Sequence, residues 1–332
     1  MLHRFAKLVA GCTVFLVLAG SLVTSTDAGL SVPDWPTTYG WNMFTFPPSK
    51  WVGGIFYEHG HRLIASTIGL LTIVLAVWLW RADPRQWMKR LGAAALGAVV
   101  LQGVLGGVTV LFFLPPAVST AHAALAEIFF CLTVAIALFT SDSWIRGDGR
   151  IDDAWLRRVA TGTTILIFVQ MLLGATMRHT GAGLAIPDFP LMFGGLVPDH
   201  WDSKIGIHFS HRVGALVVTL AIAASSSRVW RHHRGNSALV GPAGLLVLLV
   251  AIQVTLGALT VLSRRNVWIN SVHVVCGALV LGTSLVLTLR SWRARFAANA
   301  MLEGTAVALP PAGGRAVPAP AAAAAASTGA RA

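Results

Sequence analysis

Apolar runs close to the length of a membrane span recur along this chain, separated by shorter segments rich in Gly, Pro and basic residues. Eight are present, at about 8–26, 58–80, 91–113, 121–140, 159–177, 208–228, 239–262 and 269–289. About 20 apolar residues carry a helix across ~30 Å of hydrocarbon. The pattern therefore predicts an all-α polytopic membrane protein with eight transmembrane helices. Composition agrees: 55% of the 332 residues are hydrophobic and 11% are charged, where a soluble domain carries about a quarter charged residues. The mean hydropathy is +0.70.

The net charge of +12 does not point to nucleic acid, because its distribution alternates from loop to loop. Arg4 and Lys7 precede the first span; Arg81, Arg85, Lys89 and Arg90 follow the second; Arg146, Arg150, Arg157 and Arg158 follow the fourth. Further basic groups follow the sixth and eighth, while the opposite loops hold only Lys50, Arg178, Lys204, Arg264 and Arg265. By the positive-inside rule both termini are expected in the cytoplasm, with lipid head groups as the ordinary partner of the basic loops.

The chain reads as an internal duplication. VLAGSLVTSTDAGLSVPDWP at 17–36 matches MLLGATMRHTGAGLAIPDFP at 171–190 in nine of 20 positions. EHGHRLIAS at 58–66, QGVLGGVTVL at 102–111 and STAHAALA at 119–126 are echoed by HFSHRVGAL, QVTLGALTVL and NSVHVVCGA, every echo lying 150 to 154 residues downstream. Four spans per unit is an even number, so the expected architecture is two parallel four-helix-bundle repeats, at 1–150 and 151–296. Because the end of the first run recurs internally, residues 1–26 are read as a retained helix and not a cleaved signal peptide. Too few residues precede that run for an organelle transit peptide. Residues 297–332 turn to Ala, Pro and Gly, the composition of a disordered cytoplasmic tail. Cys12, Cys131 and Cys276 fall inside spans with no pairing pattern and read as small apolar residues.

A finer repeat runs beneath the first. Q-x-x-L-G-small occurs at Gln102, Gln170 and Gln253, and the first helix keeps only its Ala-Gly-Ser end. From each glycine to the next helix's histidine the distances are 41, 16, 37 and 16 residues. The small residues admit close helix packing or the approach of a flat ligand. His3, His232 and His233 lie in basic segments and His200 in a loop, where solvation accounts for them. His61, His122, His211 and His273 instead sit in the first turns of the even helices, at equivalent repeat positions.

Neutral imidazole suits Zn, Cu and Fe alike, and a single four-histidine metal site is one arrangement of this quartet. Two pairs, one per unit, fit haem better: facing helices each present an imidazole to opposite faces of a porphyrin in an apolar bundle. Arg62 and Arg212, each directly after a ligand candidate, and the Arg264–Arg265 pair are then natural propionate partners. The halves differ at one place. Glu58 lies three residues before His61 on the same helical face, where the second half has His208. One unmatched carboxylate suggests one reactive haem and one relay haem, with Glu58 stabilising a cationic intermediate or transferring protons. The other reading of Glu58 is a glutamate favoured at a helix start. Glu127, another intramembrane carboxylate five residues after His122, is offset from it around the helix, which leaves proton relay and a buried hydrogen bond both open.

Together these motifs resemble haem A synthase, the membrane enzyme that completes haem A for terminal oxidases. The resemblance rests on E-x-x-H-R at Glu58–Arg62, the paired AGL-x-x-PD-W/F-P loops, H-x-x-H-R at His208–Arg212, and His122 and His273 in their repeat positions, over about residues 1–296. It implies oxidation of a ring methyl of haem O to the formyl group of haem A through successive hydroxylations. By the same resemblance His61 and His122 bracket the substrate haem, Glu58 is the catalytic carboxylate, and His211 and His273 ligate a haem b that passes electrons. It also implies a bacterial cytoplasmic membrane and delivery of haem O by a haem O synthase. Some relatives carry a cysteine pair in the first outer loop; no cysteine lies between Asp27 and Tyr57 here, so a redox role for such a pair does not carry over.

Two other classes fit parts of the pattern. A di-haem cytochrome b reacting with quinone shares the bis-histidine helices but gives Glu58 no task. A transporter of parallel repeats explains the duplication but not the four histidines.

Overall fold

The computed structural model describes residues 1–296, and the Ala/Pro-rich segment 297–332 lies outside the described residues. Eight helices are long and apolar enough to cross a membrane: α1 (Leu2–Ser25), α2 (Gly54–Ala82), α3 (Gln86–Leu111), α4 (Pro116–Phe139), α6 (Ala154–His179), α7 (Ser203–His232), α8 (Ser237–Leu262) and α9 (Val267–Ser291). A short helix, α5 (Asp142–Arg146), joins α4 to α6. The protein is an all-helical, multi-pass membrane protein. Each helix outruns its apolar stretch, because a backbone entering or leaving lipid must satisfy its own N–H and C=O groups.

Packing follows chain order. In α1–α4 each helix meets the next, and α4 closes back on α1; α6–α9 do the same. The two rings meet where α4 and α9 pack on each other, with α1 against α9 and α4 against α6. Phe129, Phe130, Ile136, Val280 and Leu281 are buried in this region. Gly282 permits the approach: a Cβ there would sit 2.9 Å from the Phe130 ring.

Polar side chains fix the end rich in basic residues. Asp153 caps α6 by accepting from Leu156 N, and also receives Arg228 Nε and His233 Nε2, each at 2.9 Å. Burial opposes the charge on Asp153, but these donors outweigh it and hold the carboxyl well below its usual range. His233 is therefore a hydrogen-bond partner of Asp153 tucked against the bundle, and not the solvated residue its basic surroundings suggest. His3 departs from that expectation too: its Nδ1 lies 3.0 Å from Ala137 O, at the end of α4.

At the opposite end, the loops after α1 and α6 take the same shape. Each has a tight turn in which both central residues have positive φ, Tyr39–Gly40 at 51° and 76° and Phe193–Gly194 at 57° and 81°. Such turns reverse the chain in two residues. The aspartate of each PD motif holds its turn: Asp34 accepts from Tyr39 N and Gly40 N, and Asp188 from Phe193 N and Gly194 N. The two amide donors keep the Asp188 carboxyl below its ordinary value. At Asp34, burial pushes the other way and is outweighed by Gly40 N, Thr37 and Tyr39 N.

Candidate functional site

The four histidines share one local geometry. Each presents its Cε1 edge to a glycine on the preceding helix: His61 to Gly20, His122 to Gly106, His211 to Gly174 and His273 to Gly257. A Cβ added at these glycines would lie 3.1, 3.2, 2.9 and 3.2 Å from that edge. These are the glycines from which the histidine spacing was counted. The sequence pattern located them but did not say what fills the space a Cβ would take.

His61 and His122 belong to the first ring of helices, and His211 and His273 to the second. Within each ring of helices they come from diagonal members, α2 with α4 and α7 with α9. Nδ1 of His61, His122 and His273 is buried without a hydrogen-bond partner, which is costly inside a bilayer unless something else occupies that ring. Among the described residues, no three His, Cys, Asp or Glu side chains group as a metal-ion site. Two facing pairs in apolar bundles, with ring nitrogens left over, suit a flat group ligated on both faces. The donor set fits haem.

Glu58 and Arg62 have protein partners that the motif does not reveal. The sequence offered a propionate as the partner of Arg62. Its guanidinium instead donates to the carbonyls of Asp34 (2.7 Å), Thr37 (3.0 Å) and Val32 (2.9 Å) and to Glu58 Oε1 (2.6 Å). Glu58 Oε2 accepts from Val32 N at 2.8 Å. Arg212, given the same role from sequence, donates to the carbonyls of Leu191, Ile186 and Asp188. Both arginines clamp a loop down onto the helix that follows it. Loop backbone carbonyls are invisible in a motif, so the nearest charged ligand group was the only partner the sequence offered.

The two clamps differ chemically. In the first, a carboxylate offers two acceptor oxygens to two donors. In the second, His208 faces Ile186 N and Arg212 Nε, each at 3.2 Å, with one ring nitrogen apiece. A neutral imidazole accepts at only one nitrogen, so this site satisfies one donor where Glu58 satisfies both. The first loop also carries a second buried imidazole. His59 is fully buried, 3.1 Å from Thr38 Oγ1 through Nδ1 and flanked by Phe46 and Trp51. The repeat places Phe209 there in the second half, edge-on to Trp201 at 5.0 Å.

The loop after α1 reaches across the end of its bundle. Trp35 packs its indole on Gly107 of α3, where an added Cβ would collide with the ring. Arg264 is exposed and Arg265 half-buried, both with left-handed φ in the turn after α8. Glu127 is buried on α4 with Oε2 unpartnered.

Comparison with known proteins matches residues 3–285 to the COX15-CtaA family, described as cytochrome oxidase assembly protein. A protein named Heme A synthase from Geobacillus kaustophilus is 30% identical over 88% of this chain and 93% of its own length. One of the same name from Symbiobacterium thermophilum is 31% identical over 77% of this chain and 84% of its own. A third, from Halalkalibacterium halodurans, is 28% identical over 85% of this chain and 95% of its own.

Proposed function

Because the chain belongs to the haem A synthase family of cytochrome oxidase assembly proteins, we propose that it converts haem O to haem A by successive hydroxylations of one ring methyl. It is a membrane oxidoreductase of haem A biosynthesis, with haem O as substrate. Residues 1–150 form the substrate unit and 151–296 the unit for a resident haem b. The paired loops, the paired glycine cradles and the ring order of the helices support that division.

His61 and His122 hold the substrate haem between α2 and α4. His211 and His273 hold haem b between α7 and α9. A haem b held there would supply one-electron transfer. Glu58 provides a fixed anion beside His61, one turn along the same face. Such an anion favours positive charge developing at the reacting substituent over the uncharged ground state. Arg62 keeps that carboxylate oriented while holding the loop over it. Arg264 and Arg265 stay as propionate partners, at the end of the molecule where basic residues are scarce. Haem O reaches the site through the membrane from a haem O synthase, and both termini face the cytoplasm.

The observation that carries this reading is the carboxylate that the repeat does not copy, Glu58 against His208. A di-haem electron carrier would have no use for it. Expression with a haem O source, in a host lacking its own haem A activity, is expected to yield haem A on chromatography of extracted haems. Recovery of haem O and haem B alone would reject the synthase reading. Topology is checked separately: reporter fusions after Lys50 and after Arg150 are expected to give opposite readouts, and matching readouts would overturn the orientation.

A further inference from the structure

Three of the four histidines carry an attachment that the fourth lacks. Gln102 Nε2 lies 3.0 Å from His122 O and 3.2 Å from His122 Nε2. Gln170 Nε2 lies 2.7 Å from His211 O and 3.1 Å from its Nδ1. Gln253 Nε2 lies 3.4 Å from His273 Nε2. Every one of these glutamines stands four residues before the glycine that cradles the same ring, one helical turn away on the same face. The matching place before Gly20 is Leu16, which has no polar atom to offer His61.

An imidazole that ligates iron through one nitrogen carries its proton on the other, and ligating histidines almost always donate that proton to a fixed acceptor. The side-chain oxygens of Gln102 and Gln253 are buried with no partner. Turning over the amide of Gln253, whose nitrogen contacts only the ring, sets its oxygen against His273 as that acceptor. Gln102 and Gln170 hold their rings in place by tying the amide nitrogen to the ligand's own backbone carbonyl as well as to the ring.

Resting on the haem reading above, we infer that Gln102, Gln170 and Gln253 are positioning residues that lock three axial imidazoles, and that His61 is the one ligand free to turn away. Exchange at the first haem then takes place on the His61 side, which is also the side of Glu58. The second haem has both ligands locked and passes electrons without opening. Leu16 is as much a part of this arrangement as the three glutamines.

Carbon monoxide added to the dithionite-reduced holoprotein tests the inference. In the wild type it is expected to bind the first haem and leave the second untouched. Leu16→Gln supplies the missing acceptor and is expected to slow CO binding at the first haem roughly tenfold, the lower end of the effect of such outer partners on a metal site. Gln170→Leu removes one lock, and is expected to raise the midpoint potential of the second haem and let CO bind there. If Gln170→Leu is not recovered as folded protein, Gln253→Leu acts on the same haem and gives the same reading. CO binding at the wild-type rate in Leu16→Gln, or an unchanged potential and CO-inert second haem in the glutamine variant, would overturn the inference. Wild-type protein purified without any bis-histidine haem would instead defeat the haem reading on which it rests.

Discussion

Glu58→Gln is expected to give a folded protein that keeps haem at both sites but accumulates haem O or a partly oxidised product in place of haem A. Removing one preorganised electrostatic group from an active site commonly costs about 10²–10³ in turnover, and a loss of that order is expected here. The substitution is not silent toward the loop. Glu58 accepts from both Val32 N–H and Arg62, whereas glutamine has one acceptor oxygen and an amide nitrogen that would face a donor. Some loosening of residues 32–37 will accompany the loss of charge. His208→Gln disturbs the corresponding clamp of the other half without removing a charge, and is expected to leave haem A formation near the wild-type level. The two variants together separate charge from clamp. Haem A produced at the wild-type rate by Glu58→Gln would reduce the carboxylate to a loop anchor.

His211→Ala and His273→Ala are each expected to abolish the low-spin spectrum of tightly bound haem b, since in the proposed arrangement its iron would depend on one imidazole from α7 and one from α9. The loss should be complete in either variant, not graded, because a single remaining ligand cannot maintain the low-spin state. Spectra of purified protein, normalised to protein recovered from the membrane, give the measurement. Both variants retaining an unaltered low-spin spectrum would show that this pair holds no haem. Removing either ring also empties the space beside Gly174 or Gly257, so reduced yield is expected alongside the spectral change.

The helices and the histidine quartet were legible in the sequence because both obey short-range rules. An apolar run near 20 residues has few alternatives to a span, and His61, His122, His211 and His273 recur early in the even-numbered spans at matching places in the two repeats. The start of α2 was not legible in the same way. The apolar run opens near residue 58, but the helix begins at Gly54, and Glu58 and His59 lie buried beneath a loop that the sequence leaves undescribed. That loop's fold depends on Arg62 reaching back 25 to 30 residues to the carbonyls of Thr37 and Val32. A repeated PD motif announces that something is built there, but not which side chain will hold it. The same limit explains His233, whose partner Asp153 is 80 positions away. Where a residue's role is set by a neighbour close in sequence, the pattern reveals it; where the partner is a distant backbone atom, only the folded chain does.

The pinned loop has a consequence for traffic. With Trp35 seated on α3 and Arg62 tying the segment down over Glu58, the loop covers part of the water-facing end of the first bundle. On the proposed function, a broad, greasy substrate would then come and go sideways, from the lipid. Its search is confined to a plane, and its supply is set by how much is dissolved in the bilayer and how quickly it diffuses there. On that account the enzyme's speed in cells answers to membrane crowding and fluidity, and a detergent micelle, which dilutes the substrate phase without changing any residue, would slow it.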